Sequence, residues 1–170
     1  METITFDKLL LKTAFCCMAS DGKIDTREVD LIKIMCGQSP LFNDFDFTNE
    51  INILLEKINE RGTEFIQNYF QVLNNSNLSE QEQLIIIDFA IKTINADEVV
   101  EYSEVKFFKA IRKCLTITDE IILTKYPDLE FYLEEDINIE SKLDKLISNY
   151  FSSVEIPKFE QLNVENLKNE

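Results

Sequence analysis

The sequence predicts an all-α fold, and three observations carry that prediction. Only three Gly and three Pro interrupt 170 residues, apolar side chains recur mainly at spacings of three and four, and 45% of the chain is apolar with 13 Phe. The first two point to helices throughout, and the third supplies enough apolar volume to fill a core. The expected architecture is a bundle of about seven to nine helices.

Each element follows from its own stripe. Phe6, Leu9, Leu10, Ala14, Cys17 and Met18 share one face of a helix from Phe6 to Ala19. A second helix begins after Asp25, uses Val29, Ile32, Met35 and Cys36, and is ended by Gly37 and Pro40. Phe42, Phe45 and Phe47 then cluster in a loop, where they either cover the end of the core or offer an aromatic anchor to a partner. Helices over Phe47 to Asn59 and Gly62 to Asn74 follow, with stripes Ile51, Leu54, Leu55, Ile58 and Phe65, Ile66, Tyr69, Phe70, Leu73.

Ser79 and Glu82 form a capping box ahead of Leu84, Ile85, Ile86, Ile87, Phe89, Ala90, Ile91 and Ile94. That helix is apolar nearly all round, so it is expected to be the buried centre. A helix from Tyr102 to Cys114 precedes Thr118, which is placed to cap a short helix that Pro127 interrupts. Leu129 to Glu135 and Ile139 to Phe151 have the pattern of two terminal helices, and Val154 to Glu170 reads as extended or loosely attached, either docked on its own fold, docked on a second chain or disordered. The chain divides into a helical domain over 1–123 and an acidic helical extension with tail over 124–170, packed on the same domain.

Charge narrows the partners. Against 17 Lys and Arg stand 32 Asp and Glu, a net of -15, which repels phosphate backbones and anionic lipid. Residues 118–170 hold 5 basic and 13 acidic side chains, including the run Glu134, Glu135, Asp136. No apolar stretch nears the roughly 20 residues needed to cross a bilayer, and Met1 to Asp7 lacks the blocks of a secretory signal. The expectation is a cytoplasmic protein with a protein partner, as monomer or homodimer, that neither binds nucleic acid nor inserts into membrane. Four cysteines, Cys16, Cys17, Cys36 and Cys114, lack pair spacing and read as reduced residues. The absence of His removes the usual general base and the common triads.

One segment repeats. A shift of 76 residues aligns Ser20 to Glu28 with Ala96 to Glu104, matching Asp21 with Asp97, Ile24 with Val100, Asp25 with Glu101 and Glu28 with Glu104. Ala14 with Ala90, Met18 with Ile94, Val29 with Val105 and Ile32 with Phe108 extend the match, so each copy is a helix, an acidic turn and a second helix. Pseudo-twofold symmetry then packs the first helix against the Ser79 helix. Capping accounts for much of the turn: Gly22 closes one helix, Ile24 plugs the gap, and Asp25 caps the next helix with Glu28 as its N3 partner. Asp21 is left over, an acid near a helix C-terminus where the macrodipole disfavours it, and Asp97 repeats it. The alternative gathers Asp21, Asp25, Glu28, Asp97, Glu101 and Glu104 around divalent cations such as Ca²⁺, Mg²⁺ or Mn²⁺, which take oxygen ligands. The spacing is not that of an EF-hand, since Thr26 and Ile32 stand where that loop needs Gly and Glu.

Leu9 to Ile32, with Ala19, Ser20, Asp21, Gly22, Lys23, Ile24, Asp25 and Glu28, resembles the first acidic motif of the TerB-like tellurite-resistance family. Ala96, Asp97, Val100, Glu101 and Glu104, followed by Cys114 to Thr118, resemble its second motif, with Glu98 in place of the usual Gly. The resemblance covers roughly residues 5–123. It implies a bacterial helical bundle akin to the N-terminal part of membrane-anchored J-domain co-chaperones, with acidic clusters for divalent metal and a part in stress-response assemblies. Three function classes follow: an interaction or stress-assembly module with or without a metal site, a divalent-cation sensor, and a carboxylate-dependent hydrolase, disfavoured by the lack of Trp and of a Gly-lined cleft.

Overall fold

In the computed structural model, which describes residues 4–24, 26–96, 99–134 and 159, the stripes become eight α-helices with no strand among the described residues. They are α1 (Phe6–Ala19), α2 (Thr26–Gln38), α3 (Phe47–Arg61), α4 (Thr63–Asn75), α5 (Glu80–Ile94), α6 (Tyr102–Cys114), α7 (Asp119–Lys125) and α8 (Glu130–Leu133). Short 3₁₀ turns at Pro40–Phe42 and Pro127–Leu129 fill two of the connections. The helix expected over 139–151 lies outside the described residues, as does the tail except for Phe159.

The centre is α1. Every residue from Leu9 to Ala19 is buried, and the helix touches α2, α3, α4, α5 and α6, with its longest contact along α5. The expectation that the Ser79 helix is the buried centre is therefore corrected in part. On α5, Ile85 and Ile91 remain half-buried, while the small side chains of α1 (Ala14, Cys16, Cys17, Ala19) let neighbours close around it. Two polar residues accompany α1 into the interior with partners. Thr13 Oγ1 donates to the Leu9 carbonyl at 2.9 Å and accepts from the Tyr69 hydroxyl at 3.0 Å. Lys12 lays its stem inward while its ammonium reaches Asn68 Oδ1 at 3.0 Å and lies 4.8 Å from the Phe65 ring centroid.

Around this rod the ends are closed by local chemistry. At the start of α5 the Ser79 N–H donates to Glu82 at 2.8 Å and the Glu82 N–H returns to Ser79 Oγ at 3.3 Å, the predicted capping box. Between α3 and α4, Gly62 turns the chain at φ 49°. The aromatic loop follows the packing alternative: Phe42 is buried, stacks on Phe89 at 6.2 Å and takes Phe45 edge-on at 5.1 Å. Gln83 fastens the loop after α6, its Oε1 accepting the N–H groups of Thr116 and Ile117 at 2.9 Å each. No helix of the described residues is long and apolar enough to cross a membrane.

One polar atom breaks the pattern. Asn52 Oδ1, on α3, is buried with no hydrogen-bond partner among the described residues. An unsatisfied buried acceptor costs about 1–3 kcal/mol, so Asn52→Leu should stabilise the fold by that order. The check is urea unfolding: the midpoint rises while the slope stays unchanged.

Candidate functional site

The acidic turns grow out of the two helices that form the centre. At the end of α1 the Ser20 N–H bonds to the Cys17 carbonyl at 3.2 Å, and in the second copy the Ala96 N–H bonds to the Thr93 carbonyl at 3.1 Å. These bonds are 76 residues apart, as are the two ends of α2 and α6, so the repeat holds in hydrogen bonding and in helix bounds. Ala14, Ala90, Met18, Ile94, Val29, Val105, Ile32 and Phe108, the residues that extend the repeat, are all buried.

The first turn closes tightly. Gly22 sits at φ 82° and its N–H reaches the Ala19 carbonyl at 3.1 Å, a left-handed closure that a side chain would strain. Ser20 is buried and its hydroxyl donates to the Cys17 carbonyl at 2.7 Å. Asp21 is placed beyond the helix end, where its Oδ1 accepts the Lys23 N–H at 2.8 Å. That Asx turn gives the leftover acid a backbone donor and offsets its position beside the helix terminus. Ile24 packs against the core as a plug. Glu28 occupies the third position of α2 and is buried, and Asp25 lies outside the described residues.

The second turn shares the far half of this arrangement. Glu101 caps α6 from an extended conformation, and the Glu104 carboxylate accepts the Glu101 N–H at 2.7 Å. Glu104 is 3% exposed, against 5% for Glu28, so both N3 glutamates are carried inward. Asp97 and Glu98 lie outside the described residues. The near half differs in surface: Val99, Val100 and Tyr102 are exposed, where the first copy has Lys23, the packed Ile24 and Thr26.

The two buried glutamates meet electrostatically at one side chain. The Cys17 thiol is pushed well above its ordinary range, first by burial, then by Cys16, Glu104 and Glu28. Charges from α2 and from α6 thus bear on the same thiol of α1. Glu104 also bears on Tyr132 of α8, whose hydroxyl is raised by burial, lowered by its hydrogen bond to Asn95 Oδ1 at 3.1 Å, and raised again by the carboxylate. Tyr132 packs its ring edge-on against Phe108 at 5.6 Å. Cys17 and Tyr132 carried no motif in the sequence; the one available signal was that Cys17 aligns with Thr93, another small residue one turn before the repeated turn.

Of the six candidate ligands, Glu28 and Glu104 are brought to a common neighbourhood, Asp21 and Glu101 sit at their separate turns, and Asp25 and Asp97 fall outside the described residues. Among the described residues no group of three or more His, Cys, Asp or Glu is placed to hold a metal ion. Comparison with protein-family models, with curated proteins and with solved structures finds no match.

The thiols themselves are free, buried and unreactive by environment. Burial raises Cys16, Cys36 and Cys114 from 9.0 to about 12. An unfolded chain releases thiol protons from about pH 9 while the folded chain keeps them to about 12. In that window the unfolded state binds fewer protons, so stability is intact below pH 9 and falls as pH rises, by about 1.4 kcal/mol per pH unit for each thiol. Thermal unfolding from pH 8 to 11 should show a steep drop in melting temperature, and Cys17→Ala should make that drop shallower.

Proposed function

We propose that the chain is a non-enzymatic, cytoplasmic TerB-like interaction module that works in stress-response assembly, with its paired acidic turns forming the face that a protein partner reads and a divalent cation reinforces. The observation that carries this reading is that Glu28 and Glu104, one from each turn, are both buried and both raise the Cys17 thiol. Buried carboxylates in a protein of net charge -15 suit a hard cation, which takes oxygen ligands. Asp25, Asp97 and Glu101 are the further ligands in this reading, and Ca²⁺, Mg²⁺ and Mn²⁺ are the candidate ions.

Two features favour an interaction role over hydrolysis. Asp21 accepts the Lys23 N–H just beyond a helix end, so it serves the turn itself. The exposed Val99, Val100 and Tyr102 place apolar surface beside Glu101, a mixture suited to a partner with an apolar centre and basic rim.

Calorimetric titration with each cation tests the metal component. Binding to the folded state alone raises the melting temperature by an amount set by occupancy, and the expected result is a rise at millimolar cation that Glu28→Gln/Glu104→Gln abolishes. No heat and no thermal shift at millimolar Ca²⁺, Mg²⁺ or Mn²⁺ would reduce the reading to a partner-binding subunit with no metal site. The same titration on Asp21→Ala and Asp97→Ala distinguishes ligands from turn formers: Asp97→Ala should weaken binding, and Asp21→Ala should lower stability without cation.

A further inference from the structure

Phe159 is held on the helical domain by a contact that spans 100 residues. The Asn59 side chain donates from Nδ2 to the Phe159 carbonyl at 2.7 Å, and its Oδ1 accepts the Phe159 N–H at 2.6 Å. One amide thereby satisfies both backbone groups of one residue, as a neighbouring strand would. Such a pairing reads extended backbone and not a side chain. Specificity comes from the ring, since Phe159 is half-buried and packed against the hydrophobic core. Asn59 stands near the end of α3, one residue after the buried Ile58, so the amide borders the apolar interior.

Net charge does not favour docking of the segment. Residues 135–170 carry eight acidic and four basic side chains, a net of -4, and the rest of the chain carries the other -11. Like net charges oppose docking, and among the described residues the attraction comes from the neutral amide pair and the ring. The contact should tighten as salt screens the repulsion.

We propose that the end of α3 is a docking site for an extended, Phe-bearing segment, that the chain's own Phe159 occupies it in cis, and that the same segment supplied in trans takes the site when Phe159 is withdrawn. The occupant is the tail of this chain, and the site is defined by Asn59 and the apolar surface beneath the ring.

The test uses the full-length protein and a blocked synthetic peptide of residues 154–164. Full-length Phe159→Ala should bind this peptide in a fluorescence-anisotropy titration, and the unmodified protein should bind it at least tenfold more weakly because its own tail competes. Adding Asn59→Ala to Phe159→Ala should weaken binding about tenfold or more, the size expected for two lost hydrogen bonds. A peptide with Phe159→Ala should not bind. Raising salt from 50 to 500 mM should strengthen the association. In a second measurement on the unmodified protein, excess peptide should speed proteolytic cleavage of the tail, as Asn59→Ala alone should.

Failure of the peptide to bind folded Phe159→Ala, or equal binding to that variant and to the unmodified protein, overturns the proposal. So does binding indifferent to Asn59, or tail cleavage unchanged by excess peptide and by Asn59→Ala. Circular dichroism of each variant confirms that the bundle is intact before these outcomes are read.

Discussion

The burial of α1 along its length is the constraint on which the rest of the structure depends. A helix enclosed from Leu9 to Ala19 presents no solvated face, so surrounding helices must be supplied on all sides, and five of them touch it. Its side chains are consequently small or apolar, and the polar exceptions must be answered from neighbours: Thr13 by Tyr69, Lys12 by Asn68 and the Phe65 ring. The remaining core clusters against this rod, with Phe15 meeting Phe65 edge-on and Tyr69, Phe70 and Phe107 forming a contiguous aromatic layer. The interior is thus organised by one helix, although the sequence repeat suggests two equal halves.

That asymmetry governs the turns. A buried helix must still emerge into water, and the last carbonyls of α1 need partners at the point where the chain leaves the core. Ser20, with its hydroxyl and N–H both on the Cys17 carbonyl, and Gly22, in a left-handed conformation, satisfy that exit in the smallest space. Asp21 then engages the next N–H outward. The acidic signature is in this sense a solution to leaving a core. The N3 glutamates are a separate matter, because each is drawn inward at the start of the following helix and both raise the Cys17 thiol of α1. Two N3 glutamates, related by the repeat, are therefore both buried and both bear on Cys17.

Much of the helix pattern was legible because it is local. The bounds of α1 and α6 follow from apolar spacing and from the residues that precede and follow it, and Ser79 with Glu82 announces α5 through chemistry three residues long. The choice of central helix was less legible. The Ser79 helix looks more apolar by composition, yet enclosure depends on how closely neighbours approach, which favours the Ala and Cys positions of α1. The joint effect of Glu28 and Glu104 on Cys17 is a matter of how α2 and α6 lie about α1, and spacing along the chain carries no information on that. The Asn59 pairing with Phe159 was beyond reading for a related reason: an Asn in a helix and a Phe in a tail bear no periodic relation.

The two copies of the repeat differ where they meet solvent, and the difference has a physical logic. In the first turn Gly22 allows a tight closure that brings Ile24 onto the core, so the loop consumes its own apolar residue. The second turn has Glu98 at the matching position, and Val99, Val100 and Tyr102 remain on the surface, with Lys106 over the Tyr102 ring at 4.6 Å. Exposed apolar side chains carry a hydration cost that folding leaves in place, and burial against another surface is what removes it. Equivalent frames have thus been put to unequal use: one turn is closed on the core of its own protein, and the other keeps both its apolar residues and its acidic cap facing outward.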